Sequence, residues 1–236
     1  MTNRPYTILF MLMSVDGKIT SGDSDVLDSD KDWKRIQGVK EGLCQYYDLE
    51  QQTDPCFLQS GRVFEKIGMN EREPIAEHIP VTGVIIDNKP HLHEKGLRYL
   101  SSWLERVIVV TTNPDHPARA FGGNVQTLVW PEVDFEKLFE VLGQEHGIER
   151  MTIQTGGTLN GTLLRSGLID EMSIVVAPLA VGGAGVSTLI DGKAIHSPDE
   201  LSNVKALHLI SCTTLKDSFI HLRYKVISET ILSPEV

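Results

Sequence analysis

Glycine pairs where a strand gives way to a helix let an anion approach the backbone, and Met151–Gly167, MTIQTGGTLNGTLLRSG, carries one such pair. There a short strand runs into Gly156 and Gly157, and a helix with Leu159, Leu163 and Leu164 follows. Free N–H groups at that helix start attract a phosphate, although the same glycines also suit a tight turn chosen only for its backbone angles. The spacing is not Gly-x-Gly-x-x-Gly and no Walker lysine follows, so neither a standard dinucleotide fold nor an NTPase is supported. A second segment, Ser14–Thr20 (SVDGKIT), puts the Asp16 carboxylate and the Lys18 ammonium at the end of the first strand. Ligand contacts of α/β sheets occur at such ends, where Asp-Gly also makes an ordinary turn. A third, Gln59-Ser60-Gly61-Arg62, offers a hydroxyl, an open backbone and a cation, or else a helix N-cap beside a solvated arginine. Gly182-Gly183-Ala184-Gly185 either lines a cofactor cleft or is a flexible loop.

Other chemistries find little support. The eight histidines do not cluster; His91 and His93 share a parity but lack a third ligand nearby, so no metal is expected. No Gly-x-Ser-x-Gly elbow exists for a Ser/His/Asp hydrolase. Cys44, Cys56 and Cys212 are too few and too scattered for a disulfide framework or a zinc site, and they suggest a reducing, cytoplasmic setting.

The elements that must position these residues alternate in type. Strands are expected at Thr7–Met13, Cys56–Gln59, Val81–Asp87, Val107–Thr111, Val125–Trp130, Met151–Thr155 and Glu171–Ala177, with helices between several of them. The clearest helix starts after Asp134 as N-cap, carries Phe135, Leu138, Phe139 and Leu142 on one stripe, and stops near Gly147. A second is expected from Ser29 or Asp30 through Trp33, Ile36, Val39 and Leu43, against the cost of Gly38 and Gly42; a third spans Glu94–Trp103. Near the C-terminus, Val204–Cys212 and Phe219–Ile227 read as an antiparallel hairpin turning through Thr214–Asp217. Ile220, Leu222, Tyr224 and Val226 form its inner face, and His221, Arg223 and Lys225 a wetted one. The expected fold class is α/β, with a mixed, mostly parallel sheet and an antiparallel C-terminal hairpin.

With 22 basic against 32 acidic residues the chain of 236 carries a net charge of −10, and 41% of it is apolar. That balance repels DNA, RNA and anionic membranes at long range and leaves room only for a local basic pocket. The run Ile8–Met13 behind Arg4 faintly resembles a signal peptide, yet it continues into Asp16-Gly17-Lys18 without a small-residue cleavage site and reads as a buried strand. No apolar run approaches the ~18 residues of a membrane span. Neither a linker nor an internal repeat divides the chain, so one domain over 1–236, with its core at about 4–227, is expected.

Taken together, SVDGKIT, QSGRVF and QTGGTLNGTLLRSGLIDEMSIVVAPLAVGG resemble the reductase domain of riboflavin biosynthesis, the pyrimidine reductase relatives of dihydrofolate reductase. VTGVIIDNKPHL and VIVVTTN resemble that family's middle strands. The resemblance runs from about Arg4 to Lys225. It implies a three-layer, dihydrofolate-reductase-like fold, NADPH as hydride donor, no metal and a homodimer. It also implies a ribosylaminopyrimidine phosphate as substrate, either 5-amino-6-(5-phosphoribosylamino)uracil or its diaminopyrimidinone analogue. By the same resemblance Gly156, Gly157, Thr158, Leu159 and Asn160 would take the cofactor pyrophosphate, with Ser60, Gly61 and Asn88 also on the cofactor. Asp16 and Lys18 would flank the reacting centre, and Ser24, in Gly22-Asp23-Ser24, would touch substrate. Three positions depart from the family: Thr155, the second expected substrate contact, stands where a substrate-holding glutamate is usual, Val26 where tryptophan is common, and Arg62–Met69 replaces an Asp-Asp-Pro segment. These changes lie on the substrate side and keep two alternatives open, reduction of another heterocycle such as a pteridine, or nucleotide binding without turnover. The His-x-Glu and Pro-Cys-x-x-Cys signatures of a zinc deaminase do not occur, which implies a stand-alone reductase.

Overall fold

Short β-branched runs become strands, and five of them build the first of two compact units, Asp54–Thr155 with Arg4 and Pro5. The computed structural model describes residues 4–232; residues 1–3 and 233–236, inside the span expected for the domain, lie outside the described residues. In this unit β2 (Cys56–Ser60), β3 (Ile79–Ile86), β4 (Leu104–Thr111), β5 (Val125–Val129) and β6 (Arg150–Ile153) lie in the order β5-β4-β3-β2-β6, every pair parallel. All five C-terminal ends therefore point to one edge. Helix α4 (Glu94–Trp103), with the bounds expected, buries Leu97 and Leu100 with Ile85, Val107 and Val109. Helix α5 (Phe135–Gln144) starts where the Asp134 carboxylate accepts from Lys137 N–H, and buries Leu138, Phe139 and Leu142. It ends short of Gly147, which has a φ of +67°.

The second unit comprises Tyr6–Thr53 and the residues from Gly156 on. Here β1 (Tyr6–Ser14) pairs in parallel with β7 (Glu171–Ala177), which is buried at every position, and β9 (Ile220–Val226) and β8 (Leu207–Thr214) follow antiparallel. The apolar run behind Arg4 is thus a strand, as expected.

One expectation fails in this unit and a second holds only in part. The helix expected from Ser29 to Leu43 is broken: α1 is only Ser29–Asp32, a 3-10 turn covers Trp33–Arg35, and Ile36 is extended at φ −92°, ψ 116°. Gly38 sits at φ +87°, which a helix cannot hold, and a Cβ at Gly42 would lie 2.7 Å from the Phe219 ring. Trp33, Val39 and Leu43 are nevertheless buried with Phe10, Leu12 and Phe219, so the apolar spacing located the core while the glycines set the conformation. A helix not foreseen, α2 (Cys44–Glu50), supplies Tyr46, stacked on Phe10.

The wetted face expected on β9 holds in part: Lys225 is exposed, while His221 and Arg223 are half-buried. His221 pairs with Val175 and Arg223 with Ser173 across the sheet, which turns their side chains onto the face where Val175 packs with Phe10 and Leu12. There Ser173 Oγ and His221 Nε2 lie 2.8 Å apart and Arg223 Nε donates to Glu171 Oε1 at 2.7 Å. Burial, then the neighbouring Arg223, holds the His221 pKa below its ordinary value. The opposite face stays open along β8, where Leu207 and Leu209 are exposed.

Candidate active site

In the second unit the first strand's end and the glycine loop after β7 are sewn together. Val15 N–H donates to Leu179 O (2.9 Å), Ile19 N–H to Ser187 O (3.1 Å) and Leu189 N–H to Gly17 O (3.0 Å), with a bridge between Lys18 and Thr188. Asp16 is spent on this join: its carboxylate accepts from Ser14 Oγ (2.6 Å), Val181 N–H (3.0 Å) and Gly182 N–H (2.6 Å). The Ser14 hydroxyl, then the Val181 and Gly182 amides, hold its pKa down at about 2. Lys18 Nζ donates to Val186 O at 2.9 Å, so the ammonium is fixed at the lip of the same loop. Ser24 is exposed on a nearby turn, and Gly185 faces Asp23, whose Cβ lies 3.8 Å from where a Gly185 Cβ would stand.

Helix α6 (Gly157–Arg165) opens without a side-chain cap. Its first intrahelical bond runs from Asn160 N–H to Gly156 O, so the N–H groups of Gly157, Thr158 and Leu159 precede the ladder and form an anion-attracting end. The two glycines have different reasons to be glycine. Gly156 (φ −73°, ψ 157°) has nothing within 4 Å of a would-be Cβ and faces open space. At Gly157 a Cβ would collide with Thr188 O and stand 2.5 Å from Asp191 Oδ2. Asp191 N–H donates to Gly157 O (2.9 Å), and Arg165 Nη1 donates to Asp191 O (3.0 Å), where a Gly161 Cβ would also intrude. Asn160, expected on the cofactor, is fully buried and its amide donates to Leu189 O at 3.0 Å. Gly157 and Asn160 thus seat the 188–191 turn on α6, and Gly156, Thr158 and Leu159 leave the helix end open.

The remaining sequence candidates belong to the first unit and gather at its C-terminal edge. Ser60 caps helix α3 (Gly61–Lys66) by accepting from Val63 N–H at 3.3 Å. Gly61 is pressed on Asp87, and Asn88 Oδ1 accepts from Thr112 N–H at 3.0 Å. Thr155 is only 1% exposed. Sequence reasoning overlooked Asp87, His116, Thr188 and Asp191. Thr188-x-x-Asp191 has the spacing of a local capping turn, a legible signal, whereas nothing around His116 marks it. Among the described residues no group of three or more His, Cys, Asp or Glu side chains is placed to hold a metal ion, and no helix is long and apolar enough to cross a membrane.

Within the second unit, a helix opened by glycines and a glycine loop joined to the end of β1 are features with which α/β proteins hold anionic ligands. Comparison with known proteins makes this particular: residues 66–220 match the RibD C-terminal domain, and the chain belongs to that family. It is 28% identical over 228 residues to the 2,5-diamino-6-ribosylamino-4(3H)-pyrimidinone 5′-phosphate reductase of Methanothermobacter thermautotrophicus, covering 92% of this chain and 96% of the relative. It is 27% identical to the riboflavin biosynthesis protein RibD of Actinobacillus pleuropneumoniae over 96% of this chain but 58% of that protein. Acinetobacter baumannii RibD superposes with a TM-score of 0.68 at 18% identity, over 96% of this chain and 59% of that one. The riboflavin biosynthesis reductase Rib7 of Saccharomyces cerevisiae gives 0.63 at 17% identity, over 96% and 92%. The chain thus spans well under two thirds of the RibD proteins and nearly all of the separate reductases. The fold is the dihydrofolate-reductase-like one expected, mostly parallel with antiparallel C-terminal strands.

Proposed function

We propose that this chain uses NADPH to reduce a ribosylaminopyrimidine phosphate in riboflavin biosynthesis, opening the ribose to a ribitylamino chain. The compound in the name of the Methanothermobacter relative, the 2,5-diaminopyrimidinone, is the first substrate to test, and the deaminated uracil analogue the second. The observation that carries this reading is the open start of α6 at Gly156, in a chain that aligns almost end to end with a protein named for that reaction.

The residues fit a dinucleotide. Three ladder-free N–H groups and a glycine without a neighbour offer a cradle for a pyrophosphate. When bound, NADPH would supply the hydride that reduces the imine-like first carbon of the sugar. Lys18, steadied by Val186 O, is the cation for the substrate phosphate. Asp16, ionised at neutral pH, orients the 181–182 turn and gives no proton. The proton donor is left to another group or to water. Following nicotinamide absorbance with both pyrimidines and a pteridine panel tests the assignment: turnover with a ribosylaminopyrimidine supports it. Turnover with a pteridine alone, or binding without turnover, replaces it.

A homodimer and a cytoplasmic location belong to the same reading. Leu207, Leu209, Ile210 and Ile220 expose 36–49% of their surface along the β8–β9 hairpin, an apolar strip that a second copy would cover. Exposed, unpaired Cys44 and Cys212 suit a reducing compartment.

A further inference from the structure

Beneath the edge that carries Ser60, Gly61 and Asn88 lies a pair the chemistry above does not use. The side chains of Asp87 and His116 are both 0% exposed. Asp87 Oδ1 accepts from His91 N–H (3.1 Å), and Oδ2 accepts from Leu92 N–H (3.0 Å) and from His116 Nε2 (3.1 Å). On the other side of the ring, Nδ1 accepts from Ala118 N–H at 3.1 Å, so the ring proton sits on Nε2 and is donated to Asp87.

The backbone of Asp87 is tied as firmly. Its N–H donates to Val110 O (2.9 Å), and its carbonyl accepts from Thr111 Oγ1 (2.8 Å). One residue on, Asn88 reaches Thr112, and at the start of α3 a Gly61 Cβ would stand 2.6 Å from Asp87 Oδ2. One aspartate therefore touches the ends of β2, β3 and β4 together. Buried as it is, its carboxylate cannot meet a ligand, and a buried pair of this kind is a weak source of stability compared with apolar packing. What it does supply is a fixed relation among the three ends. We propose that Asp87, oriented by His116, is a positioning residue that sets Asn88 and the Ser60–Gly61 turn for the cofactor. This rests on the reading of those residues as NADPH contacts.

The test compares NADPH Kd, KM, kcat and Tm for wild type, Asp87→Asn, Asn88→Ala and the double variant. The amide that Asp87→Asn introduces must turn its NH2 towards at least one of the three donors. Asp87→Asn is expected to raise the NADPH Kd and KM roughly tenfold while kcat stays within about twofold. In the Asn88→Ala background the same change should alter Kd far less, because the contact it positions is gone. His116→Gln, which keeps a donor for Asp87, should restore most of the affinity that His116→Leu loses; this pair also decides the matter if Asp87→Asn does not fold. Wild type that fails to bind NADPH overturns the functional reading and this proposal with it. Wild type that binds, with Asp87→Asn unchanged in Kd or equally impaired in both backgrounds, overturns the positioning role alone.

Discussion

Valine at position 156 separates the cofactor account from simple backbone geometry. The backbone at Gly156, φ −73° and ψ 157°, is one that β-branched residues adopt, and no atom lies within 4 Å of the new Cβ. The folded state should therefore tolerate Gly156→Val, and the stiffer unfolded chain should even raise stability by about 0.4–1 kcal/mol. If a pyrophosphate rests on the start of α6, the isopropyl group stands in its path. Losing two charge-assisted hydrogen bonds of about 1.5–3 kcal/mol each weakens NADPH by roughly 10²- to 10⁴-fold. Gly157→Val is the contrasting control: its side chain meets Thr188 O and the Asp191 carboxylate, so it should cost about 1–3 kcal/mol by overpacking, whatever it does to binding. Calorimetric titration with NADPH beside thermal melts of all three proteins reads both quantities. A Gly156→Val protein that melts like wild type and binds NADPH equally well refutes the placement of the cofactor.

Acid should act on the join between Asp16 and the glycine loop. Because the folded pKa is lowered from 3.8 to about 2, the stability this carboxylate contributes is complete above the unfolded value and disappears as pH falls through the folded one. The Tm gap between wild type and Asp16→Asn should hold constant from neutrality to about pH 5 and close towards pH 2; a gap independent of pH would remove the bonds to Ser14, Val181 and Gly182 from the account. Burial pushes the Cys56 thiol up to about 12, whereas Cys44 and Cys212 are exposed. A thiol reagent should thus label two cysteines in the native protein and the third only on unfolding. A chelator should leave Tm and activity unaltered, and loss of either would point to a metal site missed among the histidines. Leu209→Arg, placing a charge on the open β8 strip, should convert a dimer to monomer by sedimentation; a wild type already monomeric at high concentration contradicts the assembly.

Strand positions were legible because buried strands demand short β-branched runs, and the nine strands among the described residues fall on those runs and on the one alternating segment near the C-terminus, within a few residues. The Ser29–Leu43 segment was misread because its apolar spacing fits a helix equally well, whereas the left-handed backbone at Gly38 and the contact of Gly42 with Phe219, 177 residues away in sequence, decide otherwise. The polar face of β9 was read as solvated for a similar reason: Glu171 and Ser173, which satisfy Arg223 and His221, arrive from another strand. For the candidate site, types and spacing singled out the Gly156-Gly157 turn, Asp16 and Lys18 but did not foresee the different packing of the two glycines. That depends on the 188–191 turn, whose docking on α6 no local pattern states. Asp87 stood in plain view at a strand end, yet its partner His116 comes from a different loop.

The central claim is transfer of hydride from NADPH to the sugar of a ribosylaminopyrimidine phosphate. Incubating the protein with NADPH deuterated on the transferring ring carbon and the 2,5-diaminopyrimidinone phosphate, then taking the product's mass spectrum, tests it most directly. The account predicts one deuterium per molecule on the first carbon of an opened ribityl chain, in step with NADPH consumed. A product that acquires no label, or label carried on the pyrimidine ring, would contradict it.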